Sequence, residues 1–150
     1  FRITEKLESD RMEGAHRPGH FDGMLTVVLK LLSIVRPQRA YFGEKDYQQL
    51  QLVRDLARAF FLETEIVGCP TVREPSGLAL SSRNMRLTEE QRSQTAPLLY
   101  ATLKSELSLP AMLARLQGSG FEVEYLEEHE GRRFVAARLG EVRLIDNICS

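Results

Sequence analysis

The segment Gly43-Glu44-Lys45-Asp46 joins a glycine, one cation and two carboxylates directly after the short apolar run 40–42. That run is typical of a buried strand, and the residues from Asp46 onward have helical spacing. Ligands of open α/β sheets bind at the carboxyl ends of strands, and the N–H groups that begin a helix attract phosphate. Lys45 would add a point charge to such an anion site. The alternative is a tight turn in which Gly43 supplies backbone freedom and Asp46 caps the helix, and for this motif alone the turn is the preferred interpretation.

Gln49 follows Asp46 by three positions. This spacing fits a reciprocal helix cap in which both side chains satisfy backbone N–H groups. The same first-turn amide could instead hydrogen-bond the hydroxyl or carboxylate of a substrate. Spacing alone favours the cap.

Two hydroxyls and a guanidinium occur together in Leu80-Ser81-Ser82-Arg83-Asn84, near the end of an irregular stretch rich in Pro, Ser and Gly. Arginine binds phosphate through two parallel hydrogen bonds, and serine hydroxyls and loop N–H groups are further anion donors. The alternative is a polar surface loop anchored by Leu78 and Leu80. Because S-S-R-N is a common sequence, the surface loop is the preferred interpretation of this motif alone.

The segment Arg17-Pro18-Gly19-His20 precedes a long apolar stretch. Histidine titrates near physiological pH, but at the start of a helix it more often bonds a backbone group than transfers a proton. The first histidine of the H-x-G-H signature of adenylating enzymes is absent. The sequence also lacks the G-x-S-x-G and P-loop motifs, which removes most support for a hydrolase or a P-loop protein.

The composition is that of an ordinary globular protein, with 150 residues, 43% hydrophobic, 27% charged and a formal net charge of −1. Near-neutral charge makes nucleic acid and anionic membranes unlikely partners. Cys69 and Cys149 show no C-x-x-C spacing and no nearby histidine cluster, so no metal site or disulfide is indicated, and we expect a reducing, cytoplasmic location. The apolar run Met24–Val35 is shorter than the ~20 residues that span a membrane.

The elements predicted around these motifs begin with a parallel β-α-β unit. Residues 20–35 form a helix packed on most sides, and a second helix from Asp46 buries a face comprising Leu50, Val53, Ala57 and Phe60 or Phe61. Strands at 40–42 and 65–69 flank this second helix. A capping box at 88–91, helices at 97–107 and 110–118 and a three-stranded antiparallel meander follow. The fold class is therefore α/β, the end of a parallel domain followed by a small α+β module, with domains at 1–76 and 77–150.

Four motifs in fixed order closely resemble the pantothenate synthetase, or pantoate–β-alanine ligase, family: RPGHFDG (17–23), FGEKDYQQL (42–50), GLALSSRN (77–84) and ARLGEVRLIDNI (137–148). The similarity covers about residues 14–148. It implies a Rossmann-like nucleotidyltransferase that joins pantoate to β-alanine through pantoyl adenylate, releasing pyrophosphate, AMP and pantothenate. It also implies ATP as substrate, Mg²⁺ as cofactor and a homodimer.

The resemblance also implies roles for individual residues. Gly43, Glu44, Lys45 and Asp46 match the ATP-contacting turn, Gln49 the pantoate-binding glutamine and Val72 a contact to the adenine region. Leu80, Ser81, Ser82 and Arg83 match a mobile segment directed at phosphates. Arg17 and His20 match pocket-lining positions, and Lys45, Ser81, Ser82 and Arg83 are the expected catalytic residues.

The H-x-G-H segment and the first strands of that fold are not in these 150 residues. We therefore expect the chain to be the C-terminal half of a longer protein and to be inactive alone. Two alternatives stay open: a noncatalytic module for dimerisation or protein binding, and another adenylate-forming carboxylate ligase.

Overall fold

Contacts divide the computed structural model, which describes residues 1–150, into two units, Phe1–Pro70 and Thr71–Ser150. The predicted functional domains 1–76 and 77–150 stay a prediction, because the units are defined by contacts alone. The fold class is confirmed as α/β, with a parallel two-stranded sheet in the first unit and an antiparallel three-stranded sheet in the second.

The first unit contains the predicted β-α-β arrangement. Its elements are α1 (Glu13–His16), α2 (His20–Val35), β1 (Arg39–Gly43), α3 (Tyr47–Ala59) and β2 (Glu65–Cys69). Strands β1 and β2 pair in parallel, with Gly43 opposite Cys69. A short 3-10 turn, Glu44–Asp46, leads from β1 into α3. The carboxyl ends of both strands therefore lie at one edge of the sheet.

Helix α2 is buried on one side only, so the prediction that it packs on most sides is wrong. Phe21 and Leu25 join Leu52, Val53 and Leu56 of α3 in the core of the unit. Leu32 continues the same face, because steps of four and seven residues return to nearly one direction on a helix. The opposite apolar face is exposed and comprises Val27, Leu31, Ile34 and Val35.

The predicted face of α3 is also corrected at its end. Leu50, Val53 and Ala57 are buried as predicted, but Phe60 and Phe61 are exposed. The helix ends at Ala59, and Phe61 has a φ of 52°, so neither phenylalanine continues the helical face.

The second unit contains the predicted meander. It comprises a 3-10 turn (Ser82–Arg86), a π-helical turn (Gln91–Thr95), α4 (Pro97–Leu103), α5 (Leu109–Gly118), β3 (Glu122–His129), β4 (Arg132–Leu139) and β5 (Val142–Cys149). The strands are antiparallel in the order β3-β4-β5. Residues 134–137 of β4 are all buried, as expected for the central strand. The core of this unit includes Leu99, Leu103, Leu116 and Val135.

The capping box is confirmed, whereas the predicted helix that follows is too long. Thr88 N–H donates to Gln91 Oε1 at 3.0 Å, and Gln91 N–H donates to Thr88 Oγ1 at 3.1 Å. Helix α4 then ends at Leu103 rather than at residue 107. Arg133 of β4 donates from Nη1 to the carbonyl oxygens of Leu103 and Ser105, at 2.9 and 2.8 Å. Those terminal carbonyls are thus satisfied by a residue distant in sequence.

Candidate functional site

The turn Gly43–Asp46 lies at the carboxyl end of β1, the position that its sequence predicted. Gly43 has φ −70° and ψ 134°, which any residue adopts, so the prediction that it supplies backbone freedom is wrong. A Cβ at Gly43 would meet no atom within 4 Å. The strand end is therefore open within the first unit, and the three following residues form a single 3-10 turn.

Lys45 and Asp46 lie beside each other in this turn. Lys45 is largely buried, and its Nζ lies 4.0 Å from Asp46 Oδ2 on a half-exposed carboxylate. The Asp46 side chain makes no capping hydrogen bond. The reciprocal cap between Asp46 and Gln49 is thus wrong, because the preceding turn leaves Asp46 at φ −100° and ψ 59° instead of the extended geometry of a capping residue.

Gln48, the neighbour of Gln49, has a role that sequence reasoning missed. Its buried amide donates to the carbonyl oxygens of Glu8 and Arg11, at 2.7 and 2.9 Å, and accepts from the N–H of Glu13 at 3.1 Å. It thereby joins the first turn of α3 to residues 8–13. No motif distinguishes it from Gln49, whose half-buried side chain makes no hydrogen bond.

His20 is the first residue of α2, as predicted. Burial and then the positive charge of Arg17 lower the pKa of His20 below 6.5, against the opposing effects of Glu13 and Asp46. Arg17 also lies 3.9 Å from Glu13, whose side chain is largely buried. Asp46 is close enough to His20 to oppose this shift, so the RPGH segment and the 43–46 turn lie near each other in the first unit.

In the second unit, Val72 and Leu80 stand at the open end of a small hairpin. Leu80 N–H donates to the Val72 carbonyl at 2.9 Å, and Arg73 and Ala79 form a β-bridge. Both Val72 and Leu80 are exposed. The prediction that Leu78 and Leu80 anchor this loop is half right, because the buried side chains are Leu78 and Ala79.

Ser81, Ser82 and Arg83 follow directly. The Ser81 hydroxyl accepts from the Arg83 N–H at 3.2 Å and caps the turn Ser82–Arg86. Ser82 and Arg83 are exposed, and the Arg83 guanidinium forms no ion pair. One hydroxyl and one unpaired cation are therefore presented on a defined turn, an arrangement that suits a phosphate group.

Sequence reasoning also missed Arg73, which supports the hairpin from inside the unit. It forms a two-point ion pair with Asp146 of β5, donates to the Gly77 carbonyl at 3.1 Å and lies over the Tyr100 ring at 3.8 Å. Arg73 lies outside the motif GLALSSRN, although Asp146 lies inside ARLGEVRLIDNI, so no motif in the sequence indicated this contact.

No group of three or more His, Cys, Asp or Glu side chains could hold a metal ion. Cys69 and Cys149 are both free thiols. None of the helices combines the length and the apolar character that crossing a membrane requires.

Comparisons with known proteins agree with the order of the motifs. A family model described as pantoate-beta-alanine ligase matches residues 1–149. Pantothenate synthetase from Bdellovibrio bacteriovorus is 51% identical over 148 residues, which are 99% of this chain and 59% of the relative. The Coxiella burnetii enzyme of the same name is 53% identical and is covered over 57% of its length.

Two solved structures are also similar. A pantoate-beta-alanine ligase from Francisella tularensis, complexed with beta-gamma ATP and beta-alanine, matches with a TM-score of 0.91 and 45% identity, over 99% of this chain and 58% of that one. Pantothenate synthetase from Thermus thermophilus matches with a TM-score of 0.87 and 41% identity, over 99% of this chain and 63% of that one. The chain thus spans less than two thirds of each relative.

Proposed function

Because the chain belongs to the pantoate–β-alanine ligase family, we propose that it is the C-terminal part of a ligase that makes pantothenate from pantoate and β-alanine. The reaction uses ATP and passes through pantoyl adenylate. The observation that carries the proposal is the position of the turn Gly43–Asp46 at the end of a parallel strand. The chain that contains this turn is 45% identical to a ligase solved with an ATP compound and β-alanine.

In the first unit, Gly43, Glu44, Lys45 and Asp46 are proposed to contact ATP. Lys45 would act near the phosphates and Asp46 near the ribose. Gln49 would bind pantoate, which agrees with its half-buried amide having no partner in the unit, while Gln48 satisfies the backbone. Arg17 and His20 would line the pocket near Asp46, as the pKa of His20 supports.

In the second unit, Val72 is proposed to contact the adenine region, since it is exposed at the end of the hairpin. Leu80, Ser81, Ser82 and Arg83 would bind ATP, the last three at its phosphates. Lys45, Ser81, Ser82 and Arg83 are the proposed catalytic residues.

The proposed chemistry has two steps. A carboxylate oxygen of pantoate attacks the α-phosphorus of ATP, and the bond to the β-phosphate oxygen breaks to release pyrophosphate. Negative charge increases on the phosphoryl oxygens in the transition state, where fixed cations and N–H donors lower the barrier. The neutral amine of β-alanine then attacks the acyl carbon of the adenylate and forms the C–N bond. AMP leaves with the electrons of the C–O bond, and the new amide nitrogen releases its extra proton to solvent. This second step requires mainly a positioned amine and the exclusion of water.

Mg²⁺, which the family resemblance implies, finds no ligand cluster in these residues. Magnesium commonly binds through substrate phosphates, waters and one or two carboxylates. The ion would therefore bind together with the phosphates of ATP, and no residue of the chain is assigned to it.

The proposal extends to a homodimer in the cytoplasm that binds neither nucleic acid nor membranes. Its support is the family resemblance, the near-neutral charge and the two free cysteines.

Pyrophosphate release, measured with ATP, pantoate and β-alanine, tests the proposed function. The protein as its gene encodes it should release pyrophosphate only when pantoate is present, and should form pantothenate only when β-alanine is added. The 150 residues alone should bind ATP weakly or not at all and should not turn over. Pantoate-dependent activity of the 150 residues would contradict that second expectation, and an encoded protein without activity would contradict the function itself.

A further inference from the structure

Asn84 directly follows the three proposed phosphate-binding residues, yet its side chain faces the interior of the second unit. It is 2% exposed. Its amide nitrogen donates to Glu74 Oε1 at 3.1 Å and to the Ala79 carbonyl at 3.0 Å. Both partners are oxygen acceptors, so only one orientation of the amide satisfies them.

Glu74, the first of these partners, is itself fixed by Arg92. Arg92 Nε lies 3.2 Å from both carboxylate oxygens, and Nη2 lies 3.0 Å from Oε1. The hydrogen bonds from Arg92 and then Asn84 lower the pKa of Glu74, against a smaller opposing effect of burial. This clamp, defined as Glu74, Asn84 and Arg92, joins the hairpin, the 3-10 turn and the π-helical turn.

The backbone of Asn84 completes the connection to the turn. Asn84 N–H donates to the Ser81 carbonyl at 3.0 Å, and the Asn84 carbonyl accepts from Leu87 N–H at 3.2 Å. The exposed residues Ser82 and Arg83 therefore lie on a turn whose capping residue and following residue are both held. Donors that are fixed before the reaction stabilise transition-state charge better than donors that must first become ordered.

The amide of Asn84 is held through its nitrogen alone. Its carbonyl oxygen Oδ1 is buried and has no hydrogen-bond partner. A buried acceptor without a partner lowers stability, so the two hydrogen bonds from the amide nitrogen to Glu74 and to the Ala79 carbonyl must offset that loss. The chain thus keeps, immediately beside Arg83, an amide whose nitrogen bonds fix the turn.

We propose that Asn84 and Glu74 are positioning residues, which hold Ser81, Ser82 and Arg83 in the conformation that binds the phosphates of ATP. The inference rests on the proposed function. Neither residue is expected to touch the substrate, since both act through the backbone of the turn.

Asn84→Asp tests this proposal in the protein as its gene encodes it. The change conserves size but replaces the amide donor with a carboxylate that faces Glu74. We expect kcat for pantoate-dependent pyrophosphate release at pH 8 to fall by about 10- to 100-fold, the loss typical of misplaced catalytic groups. Activity should recover as the pH falls, because two facing carboxylates share a proton readily and a protonated carboxyl can donate again. Thermal unfolding, measured at each pH, shows that the assay temperature lies below the transition.

A second change in the same protein reverses the donor and the acceptor. Glu74→Gln combined with Asn84→Asp places an amide opposite the new carboxylate, and the glutamine oxygen can still accept from Arg92. We expect kcat at pH 8 to rise about three- to tenfold above that of Asn84→Asp alone but to stay below wild type, because the contact with residue 74 is restored and the hydrogen bond to the Ala79 carbonyl is not. If Asn84→Asp alone does not fold, this double variant carries the test.

Asn147→Asp is the matched control, because Asn147 is the only other asparagine, is equally buried and lies on β5 beside Arg132. It should leave kcat and its pH profile unchanged. A folded Asn84→Asp variant with unchanged kcat, or a loss that is independent of pH and persists in the folded double variant, overturns the positioning role. Failure of the proposed function is distinct, because the wild-type protein itself would then release no pyrophosphate.

Discussion

Arg73 and Asp146 form a two-point ion pair between the hairpin and β5. Arg73 Nη1 lies 2.6 Å from Asp146 Oδ2, and Nη2 lies 2.8 Å from Oδ1. The Asp146 side chain is 3% exposed and also accepts from the Asn147 N–H at 2.8 Å. A carboxylate so deeply buried depends on its cation, so the hairpin and the sheet are energetically coupled through this pair.

Removing the Arg73 guanidinium should lower the stability of the second unit. Arg73→Ala leaves the buried carboxylate of Asp146 without its partner, and we expect the free energy of unfolding of the second unit to fall by about 3–5 kcal/mol. Chemical denaturation of the 150-residue chain measures it. Arg58→Ala is the control, because Arg58 pairs with Asp55 on the surface and should cost less than about 1 kcal/mol. Equal losses in both variants would contradict the coupling.

Replacement of Gly77 should lower the stability of the second unit. Its φ is 92°, and an added Cβ would lie 2.7 Å from Cδ1 of Tyr100. Gly77→Ala should therefore destabilise the chain by about 1–3 kcal/mol. Gly23→Ala is the matched change, since Gly23 lies within α2 with nothing within 4 Å of its Cβ, and it should stabilise by about 0.5–1 kcal/mol. Thermal unfolding of the two variants measures these opposite changes in stability. An increase in stability on Gly77→Ala would contradict the prediction.

The lowered pKa of His20 predicts a pH dependence of stability. The unfolded chain, with a histidine pKa near 6.5, binds this proton more readily than the folded chain. Stability from this group is thus fully present above pH 6.5 and is lost as the pH falls through the lower folded pKa. His20→Gln should make the free energy of unfolding less dependent on pH between 7.5 and 5.5. An unchanged slope, measured by urea denaturation at several pH values, would exclude this role.

The proposed phosphate contacts predict a large loss of activity. Lys45→Ala and Arg83→Ala, each in the protein as its gene encodes it, should lower kcat for pantoate-dependent pyrophosphate release by about 10²–10³-fold, as for other groups that stabilise transition-state charge. Arg86→Ala is the control for Arg83, because it removes an exposed arginine from the same 3-10 turn. A noncatalytic module would keep pantothenate formation unchanged in all three variants.

The order of elements could be predicted because it depends on local patterns. The capping box at Thr88 and Gln91, Pro97 at the start of α4 and the glycines at the two turns of the meander each act within a few residues. The C-terminal end of α4 could not be predicted, because its last carbonyls accept hydrogen bonds from Arg133, which lies on β4. The exposure of Val27 and Leu31 could not be predicted either. An apolar pattern shows which side chains could be buried, but it does not show whether the unit contains neighbours that cover them.

The sequence predicted the motifs of the candidate site better than the contacts that hold those motifs in place. The positions of Lys45 at the end of β1 and of His20 at the start of α2 follow from local sequence. The functions of Gln48, Arg73 and Glu74 depend on contacts with residues that are distant in the chain. Periodicity carries no information on such pairs, and they became visible only in three dimensions.

All three partners of the Gln48 amide are main-chain atoms, two carbonyls and one N–H. Every residue type other than proline offers those same groups. Substitutions at residues 8, 11 and 13 that preserve the backbone path therefore leave this attachment intact. At position 48, no other side chain of similar size carries two N–H donors and an oxygen acceptor on one terminal group. Evolutionary constraint on the link should thus fall on one glutamine, while the segment it holds is free to diverge.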